Sequence, residues 1–311
     1  MIATVTFNPA IDKSVTIRGF EVGKTNRCVM ERVDAGGKGI NVARALRRWG
    51  FEVCALGLAA GNNGRFILDA LQAEGIPADF VSVPGETRVN LKIHDPDRGT
   101  ETEINEPGFM ATAAHLGELQ RRIEALAPRC EVMVFSGSLP IDAPPAVFAD
   151  LIRLASARRV KCILDTAGQG LEQGFAAGPY LIKPNRGEVE DLLRTTLRTR
   201  QELVEAARVL AQKGCEQVLI SLGAEGAVGV NGAEAWSAPP PAVEVRSSVG
   251  AGDTMVAAMA RAAVEGLPFR QAFQMAVAAS AATVALEGTR VAEWADVQEL
   301  IPRVRLEDVA G

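Results

Sequence analysis

The chain has 311 residues, of which 48% are apolar and 23% charged, and its formal net charge is -5. This length and apolar content predict a single domain spanning residues 1–311, while the acidic balance and scattered basic residues argue against a nucleic-acid partner. The five separated cysteines indicate reduced cytoplasmic thiols. No apolar run is long enough for a membrane span. The two histidines are too few for a histidine metal site.

Short β-rich runs alternate with helical patterns along most of the chain. Buried strands are predicted at 2–7, 132–135, 162–164, 181–182 and 218–220, and helices at 113–126, 145–157, 202–213, 251–265 and 269–285. Such alternation is typical of a doubly wound, mostly parallel α/β sheet with helices on both faces. Ligands bind such sheets beyond the carboxyl ends of the strands, so the loops after these runs are the candidate site.

Two segments, at about 13–34 and 87–105, alternate apolar with polar residues and predict a small β-sheet lid inserted into this domain. Its strands are expected at 15–18, 28–33, 89–94 and 101–104. In the third of these, Val, Leu and Ile face one way while Asn, Lys and His face the other. An apolar sheet face needs a cover, and a second copy of the chain is the simplest one. We therefore expect a homodimer formed through the lid.

The run Val249-Gly250-Ala251-Gly252-Asp253 opens a long apolar helix. Its glycines allow the backbone to approach an anion, and free amides at a helix start attract phosphate. A carboxylate beside the bound phosphate can take the proton from an attacking hydroxyl. The run therefore favours phosphoryl transfer with Asp253 as the base, and the alternative is an ordinary glycine loop before a helix.

A second glycine-rich run, Asp34-Ala35-Gly36-Gly37-Lys38-Gly39-Ile40-Asn41, opens another helix. Its amide, ammonium and carboxamide donors converge, which favours a polyhydroxy ligand over a plain turn. Asp12 follows the first strand, where it either accepts sugar hydroxyls or forms a surface cap. Asn185 and Glu188 can meet on a first helical turn and organise water around Mg²⁺, or they simply begin a surface helix.

Six motifs, in this order and spacing, resemble the ribokinase-like sugar kinases nearly from end to end. They are Asn8-Pro9-Ala10-Ile11-Asp12, Gly36-Gly37-Lys38-Gly39-Ile40-Asn41-Val42-Ala43, Ser136-Gly137-Ser138-Leu139-Pro140, Lys183-Pro184-Asn185, Ser221-Leu222-Gly223-Ala224-Glu225-Gly226 and Gly250-Ala251-Gly252-Asp253. The resemblance implies MgATP as the phosphoryl donor, Asp253 as the base, and the backbone of Gly250, Ala251 and Gly252 as the anion hole.

The resemblance also implies a division of the remaining site residues. ATP is expected at Lys183, Asn185, Ser221, Gly223, Gly226 and Ser280, with magnesium held through water by Asn185 and Glu188. The sugar phosphate is expected at Asp12, Lys24, Arg27, Gly36, Gly37, Lys38, Asn41, Arg88 and Ser138.

Within the family the chain resembles the phosphofructokinase branch, but its features are mixed. The runs 36–39 and 221–226 resemble the fructose-1-phosphate enzymes. Lys24 and Arg27 resemble the lid cations of the 6-phosphate enzymes, and 287–290 resembles the tail of the minor 6-phosphofructokinase, with about one inserted residue before it. The expected reaction is fructose 6-phosphate to fructose 1,6-bisphosphate.

Several alternatives to this reaction stay open. Fructose-1-phosphate kinase and tagatose-6-phosphate kinase are the nearest, and a non-catalytic sugar-phosphate sensor is more remote because Asp253 is intact. A ribose or nucleoside kinase is disfavoured, since a neutral sugar needs no cationic clamp such as Arg88, Lys24 and Arg27. A potassium site is a further open possibility.

Overall fold

The computed structural model of the chain describes residues 1–232 and 234–309. The strands are β1 Ile2–Thr6, β2 Ala10–Thr16, β3 Met30–Gly36, β4 Val53–Ala60, β5 Ala78–Val83, β6 Arg88–Asp95, β7 Thr100–Asn105, β8 Val132–Ser136, β9 Lys161–Asp165, β10 Leu181–Ile182, β11 Gln217–Ser221, β12 Ala227–Asn231, β13 Glu234–Ala238 and β14 Glu307–Asp308. The helices are α1 Lys38–Arg48, α2 Gly61–Ala73, α3 Ala113–Leu126, α4 Val147–Ser156, α5 Gly168–Phe175, α6 Arg186–Leu193, α7 Arg200–Gln212, α8 Ala251–Glu265, α9 Phe269–Val284 and α10 Trp294–Leu300.

Ten strands form the main sheet in the order β14-β13-β12-β11-β10-β9-β8-β1-β4-β5. Seven neighbouring strands pair in parallel, namely β5, β4, β1, β8, β9, β10 and β11. Strands β12, β13 and β14 are added antiparallel at one edge. The predicted doubly wound α/β sheet is confirmed. Because the central strands are parallel, the ends of β1, β8 and β9 meet at one edge, where Thr6, Ser136 and Asp165 are neighbours in register.

The central strands of the sheet are buried on both faces, which explains why they are mostly apolar. Side chains of α1, α8 and α9 cover one face, and α8 and α9 are so rich in alanine that they pack closely together. Helices α3, α4 and α7 cover the other face. The predicted helices and strands of this core are found within two residues at nearly every end.

A separate four-stranded sheet, in the order β3-β2-β6-β7, forms the lid. Strand β2 begins at Ala10, earlier than predicted, and β3 continues to Gly36, directly before α1. The reason is the long-range pairing of β2 with β3 on one side and β6 on the other, which alternation along the chain does not reveal. As a result Asp12, expected in a loop, lies on a lid strand and opposite Asn90.

The apolar face of the lid is partly covered by its own chain. Val15, Ile17 and Ile93 are buried together, with Phe20 from the β2–β3 connection packed against them. The rest of this face stays open, since Val33 is 42% exposed and Ile104 is 53% exposed.

All five cysteines are free thiols. In the described part of the chain, none of the helices combines the length and apolarity needed to cross a membrane.

Candidate active site

A cavity of about 630 Å³ lies between the lid and the carboxyl ends of the central strands. The main domain lines it with the starts of α1 and α6 and with the loops after β8 and β9, including Lys38, Asn41, Gly137, Ser138, Thr166 and Glu188. The lid contributes only polar and charged side chains, namely Asp12, Arg88, Asn90, Lys92, Glu103 and Asn105. The cavity is thus suited to a hydroxyl-rich, charged ligand.

The first turn of α8 is linked to this cavity through Asn41, which lines the cavity and contacts Asp253. Gly250 precedes the helix with a left-handed φ of 77°, which favours glycine. A Cβ on Gly252 would come within 3.4 Å of the Lys183 ammonium, so the backbone of this turn faces that cation closely. Asp253 is 7% exposed and accepts a 2.7 Å hydrogen bond from Nδ2 of Asn41. The two glycine-rich runs therefore meet through Asn41 and Asp253.

A buried carboxylate that the sequence analysis missed connects two of the predicted lysines. Oδ1 of Asp165 lies 3.1 Å from Nζ of Lys38 and 3.2 Å from Nζ of Lys183. Burial raises the pKa of Asp165, but the two ammonium groups lower it more, so the net shift is downward. The available signal was the acidic residue at the end of an apolar strand, which points to the ligand edge of the sheet.

The pKa of the Asp253 carboxyl is raised towards neutral pH. Burial, with a smaller contribution from Asp165, raises its pKa to about 6, against the opposing effects of Lys38, Asn41 and Lys183. A general base works best when its pKa lies near the working pH. The raised pKa of Asp253 is compatible with the predicted role of general base.

Three of the predicted sugar-binding residues, Asp12, Gly36 and Arg88, lie close together in the lid sheet. Asp12 is buried, accepts a 3.0 Å hydrogen bond from Asn90, and has a pKa raised chiefly by burial. A Cβ on Gly36 would fall 2.1 Å from the Asp12 carboxylate, so glycine makes room for it. Arg88 donates to the Glu106 carbonyl through Nη1, while its buried Nε has no partner in the described structure. The cavity wall thus holds both a hydroxyl acceptor and a guanidinium donor.

Gly37 and Ser138, two further predicted sugar-binding residues, also line the cavity. Gly37 precedes α1 with a φ of 127° and lines the cavity. The Ser138 hydroxyl accepts a 3.3 Å hydrogen bond from Nδ2 of Asn8 and is exposed to the cavity.

The predicted nucleotide residues other than Ser280 lie at the start of α6 and in the turn after β11. Asn185 forms a β-bridge with Ser221, and Gly223 begins a short 3₁₀ turn that Gly226 closes. A Cβ on Gly226, whose φ is 92°, would fall 1.9 Å from the carbonyl oxygen of Ala238. Gly226 is therefore required by the fold of this turn. Ser280 lies on α9 and is partly exposed.

Asn185 and Glu188 meet as predicted, but as a reciprocal helix cap. Oδ1 of Asn185 accepts from the Glu188 amide at 2.9 Å, and Oε2 of Glu188 accepts from the Asn185 amide at 2.8 Å. Glu188 also lines the main cavity. Among the described residues there is no cluster of three metal-ligating side chains. The Glu188 carboxylate at the cavity suits Mg²⁺, which commonly keeps its waters and binds through one carboxylate and substrate phosphates.

Lys24 and Arg27 lie apart from the other predicted site residues in the single chain. Both are exposed on the connection between β2 and β3, where they line a separate depression of about 330 Å³ with Arg18. Nζ of Lys24 lies 3.2 Å from a carboxylate oxygen of Glu21. The cations of the main cavity's lid wall are instead Arg88 and Lys92.

Four lid residues in the cavity were not assigned to the site from sequence: Asn90, Lys92, Glu103 and Asn105. The polar alternation along β6 had already predicted that Asn90 and Lys92 share a face. It could not show that this face covers the site, because that depends on how the lid docks.

Comparisons with known proteins agree with this geometry. Residues 5–296 match the pfkB family of carbohydrate kinases. A 1-phosphofructokinase of Rhodobacter capsulatus is 40% identical over 280 residues, which cover 90% of this chain and 89% of the relative. A 1-phosphofructokinase of Escherichia coli K12 is 34% identical, with 98% of each chain covered. Phosphofructokinase-2 from Escherichia coli, in complex with potassium, superposes with a TM-score of 0.91 and 30% identity over 97% of this chain and 98% of that one. The chain belongs to the pfkB family of carbohydrate kinases.

Proposed function

We propose that this carbohydrate kinase transfers the γ-phosphoryl group of ATP to O6 of fructose 1-phosphate and forms fructose 1,6-bisphosphate. The observation that carries the kinase chemistry is the buried Asp253 at the glycine-lined start of α8, hydrogen-bonded to Asn41, which lines a cavity walled by hydroxyl acceptors and cations. The curated relatives support the substrate, because those cited above are named 1-phosphofructokinases.

Within one chain, the position of Lys24 and Arg27 removes the main observation that favoured fructose 6-phosphate. The expectation of fructose 6-phosphate depended mainly on Lys24 and Arg27, and both lie outside the main cavity of the chain. Fructose 6-phosphate and tagatose 6-phosphate therefore become the alternative substrates. All three reactions give a ketohexose 1,6-bisphosphate.

Each of these residues has its own role in the proposed reaction. Asp12 accepts sugar hydroxyls and Asp253 takes the proton of the attacking hydroxyl, while the bond between the γ-phosphorus and its bridging oxygen breaks and ADP leaves. The amides of residues 250–252 face the transferring group, and Lys183, close to Gly252, offsets its charge. Glu188 is the candidate ligand of Mg²⁺, which would neutralise charge on the ATP phosphates.

A comparison of initial rates tests this function. Purified enzyme is given MgATP with fructose 1-phosphate, fructose 6-phosphate, tagatose 6-phosphate or fructose, and ADP release is measured. We expect the highest kcat/KM with fructose 1-phosphate. A clear preference for fructose 6-phosphate would contradict the substrate while leaving the kinase chemistry intact. Binding of sugar phosphate without ADP release would instead support the non-catalytic sensor.

A homodimer formed through the lid is part of this proposal. The outer face of the lid carries one cross-strand row of residues paired in register, namely Val33, Lys13, Leu91 and Ile104. Val33 and Ile104 are both substantially exposed at its ends. The three apolar side chains of this row are best covered by their symmetry copies.

Potassium and the cellular compartment complete the proposal. The related phosphofructokinase-2 was solved with potassium, so K⁺ is a candidate activating ion, and rates in KCl against NaCl at equal ionic strength test it. The five free thiols suit a reducing compartment, which supports a place in the cytoplasm.

A further inference from the structure

The inner face of the lid carries a row of polar side chains across the cavity. Arg88, Asn90 and Lys92 occupy every second position of β6 and all line the cavity. Alternate residues of a strand are about 7 Å apart, so the row is about 13 Å long. A ligand group above Asn90 is therefore within reach of the long cationic side chains at both ends.

The Lys92 side chain lines the cavity, and its ion pair is not needed to hold the lid strands together. Its Nζ lies 2.8 Å from a Glu103 carboxylate oxygen, and its side chain is 20% exposed whereas that of Glu103 is 47% exposed. Strands β6 and β7 are already joined along six residue pairs, from Asn90–Asn105 to Asp95–Thr100. Partly exposed ion pairs contribute little to stability. A dianion entering the cavity can thus compete for the Lys92 ammonium.

The other cations near the cavity are less available. Lys38 is paired with the buried Asp165 at 3.1 Å, and Lys183 shares that carboxylate at 3.2 Å. Both lie on the main-domain side, near the carboxylate of Asp253. The lid wall is therefore the place where a phosphate remote from the reacting hydroxyl meets cations that are not engaged with the catalytic carboxylates.

We propose that Lys92, together with Arg88, binds the phosphate already carried by the sugar and that Lys92 thereby determines the preference for a phosphorylated over a neutral ketohexose. This inference rests on the proposed function and deepens it. Glu103 is the positioning residue that holds the ammonium at the cavity wall. Lys24 and Arg27 are not required for this contact within one chain.

The test compares two lid lysines that have the same kind of partner on opposite faces. Lys13 lies 3.1 Å from Glu31 across β2 and β3, and it alternates with the cavity-facing Asp12. Lys92→Gln and Lys13→Gln each remove one charge and one lid ion pair. Steady-state rates are measured with fructose 1-phosphate and with fructose, and sedimentation checks that both variants assemble as the wild type does.

For Lys92→Gln we expect kcat/KM with fructose 1-phosphate to fall by ~10–100-fold, the range of a charge-assisted contact. The loss should appear mainly in KM, because a remote phosphate contact stabilises ground and transition states equally. KM for ATP and the weak activity on fructose should stay within about threefold of wild type, and Lys13→Gln should leave all of these values unchanged. Lys92→Arg, which keeps the charge, should retain most of the preference.

Other outcomes overturn the inference. Equal losses on fructose 1-phosphate and fructose, a loss in kcat alone, or the same behaviour in both glutamine variants would show that Lys92 has no phosphate-specific role. If Lys92→Gln is unstable, a Lys92→Arg enzyme that folds but loses the preference would also contradict it. Failure of the proposed function looks different, because the wild type would then release no ADP with any ketohexose phosphate.

Discussion

Replacing Asp253 by Asn should abolish most turnover and at the same time stabilise the fold. The amide cannot accept the proton of the attacking hydroxyl, so kcat should fall by ~10²–10⁴-fold, the usual contribution of a positioned general base. The stability gain follows from burial. Folding raises the pKa of Asp253 from 3.8 to about 6, which means that the folded protein disfavours the charged form.

The magnitude of the gain depends on pH in a defined direction. Each pH unit between the unfolded and folded pKa values corresponds to about 1.4 kcal/mol. Ionised Asp253 therefore destabilises the fold by about 3 kcal/mol above pH 6 and by nothing below pH 3.8. The Asp253→Asn substitution removes this cost, so the stability difference from wild type should be about 3 kcal/mol at pH 8 and roughly half of that at pH 5.

Urea unfolding at pH 5 and pH 8 measures this difference, with Asp165→Asn as the matched control. Asp165 is also buried, but its two lysine partners lower its pKa, so the control should lose stability at both pH values. A destabilised Asp253→Asn protein, or a gain in stability that does not grow from pH 5 to pH 8, would refute the idea that the buried charge of Asp253 destabilises the fold. Near-normal turnover would refute its catalytic role.

Three further predictions follow from the same geometry. The kcat/KM for the sugar phosphate should fall about tenfold per pH unit below pH 6, where Asp253 becomes protonated, and a rate independent of pH from 5 to 8 would contradict this. Gly226→Ala should lower the melting temperature far more than Gly223→Ala, because only the first places a Cβ 1.9 Å from the Ala238 carbonyl oxygen. The free energy of unfolding should fall by about 3 kcal/mol for Gly226→Ala and by about 1 kcal/mol for Gly223→Ala. Sedimentation at micromolar concentration should show a dimer that Ile104→Lys dissociates, and an active wild-type monomer would exclude a lid-built assembly.

Much of the fold could be predicted because its signals are local. The helix at Ala251–Glu265 and the strand at Leu181–Ile182 have the predicted ends, since their apolar periodicity and glycine boundaries lie within a few residues. The same holds for the alternation along β6, which correctly separated Asn90 and Lys92 from their apolar neighbours. The glycine-lined helix start together with the family resemblance predicted Asp253 as the base, and in the structure this carboxylate is buried against Asn41.

The tertiary structure decided which of these local features meet. Lys38 reaches Asp165 across 127 positions of the sequence and Asn41 reaches Asp253 across 212. These contacts depend on β1, β8 and β9 being neighbours and on α1 packing beside α8. The docking of the lid likewise brought Lys92 into the cavity and left Lys24 and Arg27 outside it. Periodicity reports which face of a strand or helix is buried, whereas the order of strands in a sheet is set by the packing of the whole chain.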